Sequence, residues 1–218
     1  MSFKEYKKAI GLLSGCMIAM HSHAGQMGPN EVTMEHPWSV TASLGFSQFQ
    51  NMHSNDGDTA IGRLAIGRDV YQAEKLGFGL ELGVQNGNAM RLSVPQESID
   101  LLGGLPIQTT LKPVLDLQAT IKTQPLYGMP VIAQLKGGIA YRMWQFDNRD
   151  SIANQSKIAG TVQAGLGYQI NDRAMVNLMY QGVFGGNPHF SANANDLTGH
   201  VSNIPVQNGV LLGLNYAV

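Results

Sequence analysis

Apolar residues recur at every second position along most of the chain after residue 37. In WSVTASLGFSQF, Trp38, Val40, Ala42, Leu44 and Phe46 alternate with Ser39, Thr41, Ser43, Gly45 and Ser47. Seven further stretches repeat this period: AIGRLAIGRDV, GFGLELGVQ, LKPVLDLQATIK, VIAQLKGGIAYRM, KIAGTVQAGLGYQI, RAMVNLMYQGVF and the terminal GVLLGLNYAV. A two-residue period places successive side chains on opposite faces of a β-strand, so each strand has one apolar face and one small or polar face. Pro113 falls inside the fourth stretch, where it costs a ladder bond and marks a bulge or a strand start.

The connections alternate in length. YQAEKLG, TQPLYGMP and IND are short; the loops around Asn55, Asp100, Asn148 and Asn195 are long and polar. Eight strands, with three short turns at one end and four long loops at the other, predict an all-β protein, an eight-stranded antiparallel up-and-down transmembrane β-barrel.

The alternative is a soluble barrel with its apolar face inside. Composition argues against it. Charged residues make up 13% of the chain, against roughly 25% in an average soluble domain, and the polar faces are Ser, Thr, Gly and Gln with few charges. Such a face makes a poor soluble surface but fills a narrow lumen well. The aromatics also sort by strand end: Trp38, Tyr71, Phe78, Tyr127, Tyr168 and Tyr216 near the short turns, Phe46, Phe49, Tyr141, Trp144, Phe146 and Phe184 near the long loops. Two belts suit the two interfaces of a bilayer. The apolar face is therefore expected to meet lipid. Leu82→Arg should then be costly and Gly83→Ser, on the lumen face, mild.

The N-terminus predicts export. Lys4, Lys7 and Lys8 precede an apolar core, and small residues before Gly25 place cleavage after Ala24. This divides the chain into a signal peptide (1–24), a short periplasmic lead (25–37) and a barrel (38–218). In a competing reading, LLSGC is a lipoprotein box that acylates Cys16. No later stretch approaches the ~18 consecutive apolar residues of a membrane-spanning helix. A net charge of −1 and the absence of a basic run exclude nucleic acid as a partner.

The eight alternating strands and the ending at Tyr216 and Val218 resemble the small outer-membrane barrels that include the OmpA membrane domain, OmpX and the opacity proteins. The terminal strand resembles that family's assembly signal, with Tyr216 in place but Val218 where Phe or Trp is usual. The resemblance implies a Gram-negative outer membrane, with outer-membrane lipid, lipopolysaccharide and the barrel-assembly machinery as partners. It also implies a structural or adhesin-like role, with a host or surface ligand at the loops.

The lumen charges Arg63, Glu81, Asp116 and Lys136 fall at similar depth, with Lys112 and Arg142 nearer the loops. An unpaired charge in a low-dielectric lumen is costly. Glu81 is expected to pair with Arg63 or Lys136, and Asp116 with Lys136 or Lys112, to form a plug; a narrow solute pore is the alternative. GHVSN, with His200 and Ser202, resembles the His-x-Ser-Asn motif of lipid A deacylases, which implies a Ser nucleophile and a His base. That family's orienting acid on the last strand is missing, leaving Asp196 as the nearest carboxylate. No catalytic residue is therefore assigned. His53, His189 and Asp196 lack metal-ligand spacing, and no metal or cofactor is assigned.

Overall fold

A computed structural model describes residues 37–53, 56–93, 97, 100, 107–146, 152, 154–186, 189–193 and 198–218. The signal peptide, Cys16, all but Pro37 of the periplasmic lead, and Asn55, Asn148, Asn195 and Asp196 lie outside them. Twelve strands are present among the described residues: β1 (Trp38–Phe49), β2 (Asp58–Gln72), β3 (Leu76–Gln85), β4 (Ala89–Arg91), β5 (Gln108–Leu111), β6 (Val114–Thr123), β7 (Val131–Phe146), β8 (Gln155–Gln169), β9 (Ala174–Val183), β10 (Phe190–Asn193), β11 (Thr198–Val201) and β12 (Gln207–Ala217).

Eight of them form a closed antiparallel ring in the order β1, β2, β3, β6, β7, β8, β9, β12, with β12 returning to β1 from Ser39↔Ala217 to Phe49↔Gln207. Closure leaves no sheet edge, as a strand in lipid requires, because every backbone polar group finds its partner in the ladder. The last residue joins the seam, with the Val218 amide donating to the Trp38 carbonyl. Beyond the ring, β4 and β5 pair above β3 and β6, and β10 and β11 form a separate hairpin.

The alternation decides the two faces. Leu44, Leu64, Ile66, Leu117, Ile139, Leu178 and Leu212 project outward, while Ser43, Arg63, Glu81, Asp116, Gln163 and Asn177 are buried inside. An apolar exterior around a polar interior is the inverse of a soluble barrel, and it identifies the solvent of the outer face as lipid.

Pro113 lies between β5 and β6. Five residues from Leu111 to Leu115 oppose four from Trp144 to Tyr141. This is a bulge, and it reverses the side-chain parity, so that Leu111 and Val114 both face inward. Proline fits here because the missing N–H is not needed in the ladder.

One aromatic expectation is corrected. Phe46 and Phe184 face outward at the loop end, joined by Tyr180. Phe49, Trp144 and Phe146 lie at the same end but face inward, buried to 3%, 3% and 5% exposure. Their odd or even place in the strand, not their height, sets the side, and these three sit on the lumen parity. Phe49 and Trp144 meet edge to face at 6.0 Å between centroids.

The lipid face predicts a depth-dependent cost. Leu82, mid-strand in β3, should lose about 2–4 kcal/mol as Leu82→Arg, whereas Leu76→Arg at the short-turn rim should lose about 0–1 kcal/mol. Denaturant titration of the barrel refolded into lipid measures both, and equal costs would misplace the bilayer.

Candidate functional site: a layered lumen

Four consecutive staves contribute one mid-depth charge each. Arg63 (β2) directs Nη1 to Glu81 Oε1 at 2.7 Å, and its Nε and Nη2 bind Asp116 Oδ2 and Oδ1 at 3.0 and 2.5 Å. Lys136 (β7) donates to Glu81 Oε1 and Oε2 at 3.0 and 2.7 Å. Two cations and two carboxylates are thereby neutralised with no more than 6% side-chain exposure. The Arg63–Asp116 pair is bidentate, the geometry in which a planar guanidinium binds carboxylate most strongly.

Arg63, not Lys136 or Lys112, is therefore the partner of Asp116. Lys112 sits in the bulge at Pro113, where the parity reversal removes it from the lumen row; it takes no part in the network. Arg142 does not join either. It lies on β7 three alternations nearer the loops than Lys136, fully buried, and its Nη1 donates to the Pro205 carbonyl at 3.0 Å.

The network needs a gap. A Cβ at Gly83 would come within 2.3 Å of Arg63 Nη2 and 2.6 Å of Cζ. Gly83 is the place where the guanidinium crosses to Asp116, so Gly83→Ser is not the mild change expected from the lumen face alone.

Above the charges lies an amide layer that sequence reasoning missed. Gln181 donates to Gln85 Oε1 at 3.0 Å across the lumen, Gln163 donates to Gln181 at 3.5 Å, and Gln207 donates to Ser47 at 3.2 Å. These Gln residues all lie on the lumen parity of their strands, which is the signal that could have found them. Nearer the short turns, Lys122 donates to both oxygens of Asp69 at 2.9 and 3.2 Å. Nearer the loops, Phe49, Met90, Ile107, Leu111, Val114, Trp144 and Phe146 belong to one buried apolar cluster.

No hydrogen bond joins His200 to Ser202 among the described residues. His200 is exposed on β11, and its backbone is paired with Ser191. The Ser202 hydroxyl donates to the His189 carbonyl at 3.3 Å, and the Ser202 amide donates to the same oxygen at 3.0 Å. Among the described residues no carboxylate stands behind His200. No group of three His, Cys, Asp or Glu that could hold a metal is found among the described residues.

The loops are knitted to the barrel rim. Met52 bridges to Leu92, and the His53 amide donates to the Arg91 carbonyl at 3.0 Å. Arg91 Nε and Nη2 clamp Asp56 at 2.6 and 2.9 Å. The Arg91 hydrogen bond holds the Asp56 carboxyl below its ordinary value. A lowered carboxylate keeps its partner above the unfolded value and loses it as pH falls through the folded one. The clamp should therefore persist at neutral and mildly acid pH, and the Asp56 carboxyl shift in an NMR titration should move only in the strongly acid range.

No family model and no curated protein matches the chain. Solved structures do match. OprG of Pseudomonas aeruginosa is 11% identical with a TM-score of 0.52, over 86% of this chain and all of that one. Neisserial surface protein A is 14% identical, TM-score 0.47, over 83% and 97% of the two chains. Ail, the attachment invasion locus protein of Yersinia pestis, is 12% identical, TM-score 0.49, over 85% and 100%.

Two measurements probe the charge layer. Glu81→Ala leaves Arg63 and Lys136 undercompensated and should cost about 3–5 kcal/mol, whereas Glu81→Gln combined with Lys136→Met should cost much less; a double-mutant cycle in lipid separates them. Gly83→Ser should destabilise clearly, and Gly137→Ser, whose added Cβ meets nothing within 4 Å, should be near neutral. The chain has the fold of the small eight-stranded outer-membrane β-barrels.

Proposed function

We propose that the protein is an outer-membrane barrel that presents an ordered loop surface to the cell exterior and does not conduct solutes. The closed lumen carries this reading. An eight-stranded ring has just enough interior for side chains to fill, and here three successive layers fill it: the neutral charge quartet, the glutamine layer and the apolar cluster. A path for water or ions would have to break buried ion pairs at one level and enter apolar packing at another.

The loop contacts support the second half of the proposal. A surface that binds a host or extracellular ligand gains affinity when its loops are already held, since less ordering entropy opposes binding. The Arg91–Asp56 clamp, the Met52–Leu92 bridge and the β10–β11 hairpin supply that order. Loops carry recognition while the scaffold carries stability.

In planar bilayers the native barrel should give no steady conductance. Steady ohmic conductance of the native protein would replace the closed barrel with a pore. Protease added to intact cells should cut near Asn55, Asp100, Asn148 or Asn195 and spare Tyr127; cleavage at Tyr127 alone would invert the orientation.

A further inference from the structure

Two cations at the loop end of the lumen meet only backbone carbonyls among the described residues. Arg142 and Lys157 are cross-strand partners on β7 and β8. Among the described residues neither meets a carboxylate: Arg142 Nη1 donates to the Pro205 carbonyl, and Lys157 Nζ donates to the Ser202 carbonyl. The Nε and Nη2 atoms of Arg142 are buried without a partner, as is the indole Nε1 of Trp144. Protein interiors rarely leave such donors unmet, least of all charged ones.

The same molecule shows what that edge of a guanidinium binds. In Arg63 the Nε and Nη2 atoms take the two oxygens of Asp116; in Arg142 the equivalent pair is buried with no hydrogen-bond partner. The surroundings differ as well. The Arg142 guanidinium lies 5.3 Å from the Phe49 ring centroid and 5.7 Å from that of Trp144, within the apolar cluster. Aromatic faces attract a cation but accept no hydrogen bond in the guanidinium plane. The site thus offers a two-donor fork for a planar anion and an apolar wall for whatever carries it.

We propose that the loop end of the lumen binds a carboxylate attached to an apolar chain, with the carboxylate on Arg142 Nε and Nη2. Lys157 adds positive charge from the neighbouring strand, and Trp144 Nε1 is a further donor. The chain lies among Phe49, Leu111 and Phe146. Met52 and Met90 line the same cluster, and their unbranched, flexible side chains turn aside to admit it. The charge quartet below stops the ligand from passing through, so this is a binding site and not a route.

Trp38→Phe leaves Trp144 as the single tryptophan, because the chain has two. The test titrates this variant, refolded in phosphatidylcholine vesicles, with decanoate, with decan-1-ol as the uncharged control and acetate as the control without a chain. Decanoate should change Trp144 emission saturably at one per barrel. Decan-1-ol should act at least ten-fold more weakly, and acetate not at all over the same range. Arg142→Met should reduce decanoate to the decanol level, and Arg142→Lys, which keeps charge but not the fork, should fall between. Equal responses to decanoate and decanol, a response that never saturates, or undiminished binding in Arg142→Met each overturn the proposal. Should Arg142→Met fail to refold, the unfolding midpoint of the parent decides: decanoate raises it and decanol does not, and a rise with both, or with neither, overturns the site.

Discussion

Arg63 cannot be buried in this lumen unless two carboxylates reach it from two other strands. The guanidinium has more donors than one carboxylate can satisfy, and in a barrel of eight strands little water is available to take the rest. Asp116 occupies the Nε–Nη2 edge and Glu81 takes Nη1, and Lys136 then balances the charge of Glu81. The four residues are not directly opposite in the ladders: Arg63 faces Gln85, Glu81 faces Gln118, and Lys136 faces Thr120. Only one set of registers among β2, β3, β6 and β7 brings them together. A slip of one residue would turn charges toward lipid, and a slip of two would part them. The quartet is thus a register lock as well as a filling.

That lock places demands on its neighbours. Gly83 is small because Arg63 crosses above it. The strands on the other side of the ring respond with buried uncharged groups, Asn177, Gln163 and Gln181, which fill volume without adding a charge that would need its own partner; Gln163 donates to Gln181, and Gln181 to Gln85. Outside, the lipid face needs only bulk and hydrophobicity, so Leu, Ile and Val recur there with little individual specification.

The period of two made the strands, their faces and the unequal ends legible, because it follows from backbone geometry and from having unlike solvents on the two sides. Partner choice was less so. The sequence places Arg63, Glu81, Asp116 and Lys136 at similar depth, but which cation Asp116 takes depends on the bulge at Pro113, which removes Lys112, and on the gap at Gly83, which admits Arg63. Phe49, Trp144 and Phe146 depart from a sorting of aromatics by height, because their parity places them inside. In the motif of His200 and Ser202, the Ser202 hydroxyl donates to the backbone carbonyl of His189, a contact that sequence adjacency does not reveal.

Arg63 and Arg142 are the same side chain in the same lumen, held in opposite ways. Arg63 is balanced by charge and locks the strands. Arg142 is surrounded by rings and a single carbonyl, and with Lys157 it grips the segment from Ser202 to Pro205, which leads from β11 into β12. Gln155 adds a third donor just before that segment, to the Val201 carbonyl. Carbonyl dipoles compensate a cation only in part, so these two positive charges hold the approach to β12 while remaining undercompensated themselves. The lumen is therefore electrostatically settled at mid-depth, where the strands must hold register, and less so at its loop end, where Arg142 and Lys157 meet only carbonyls among the described residues.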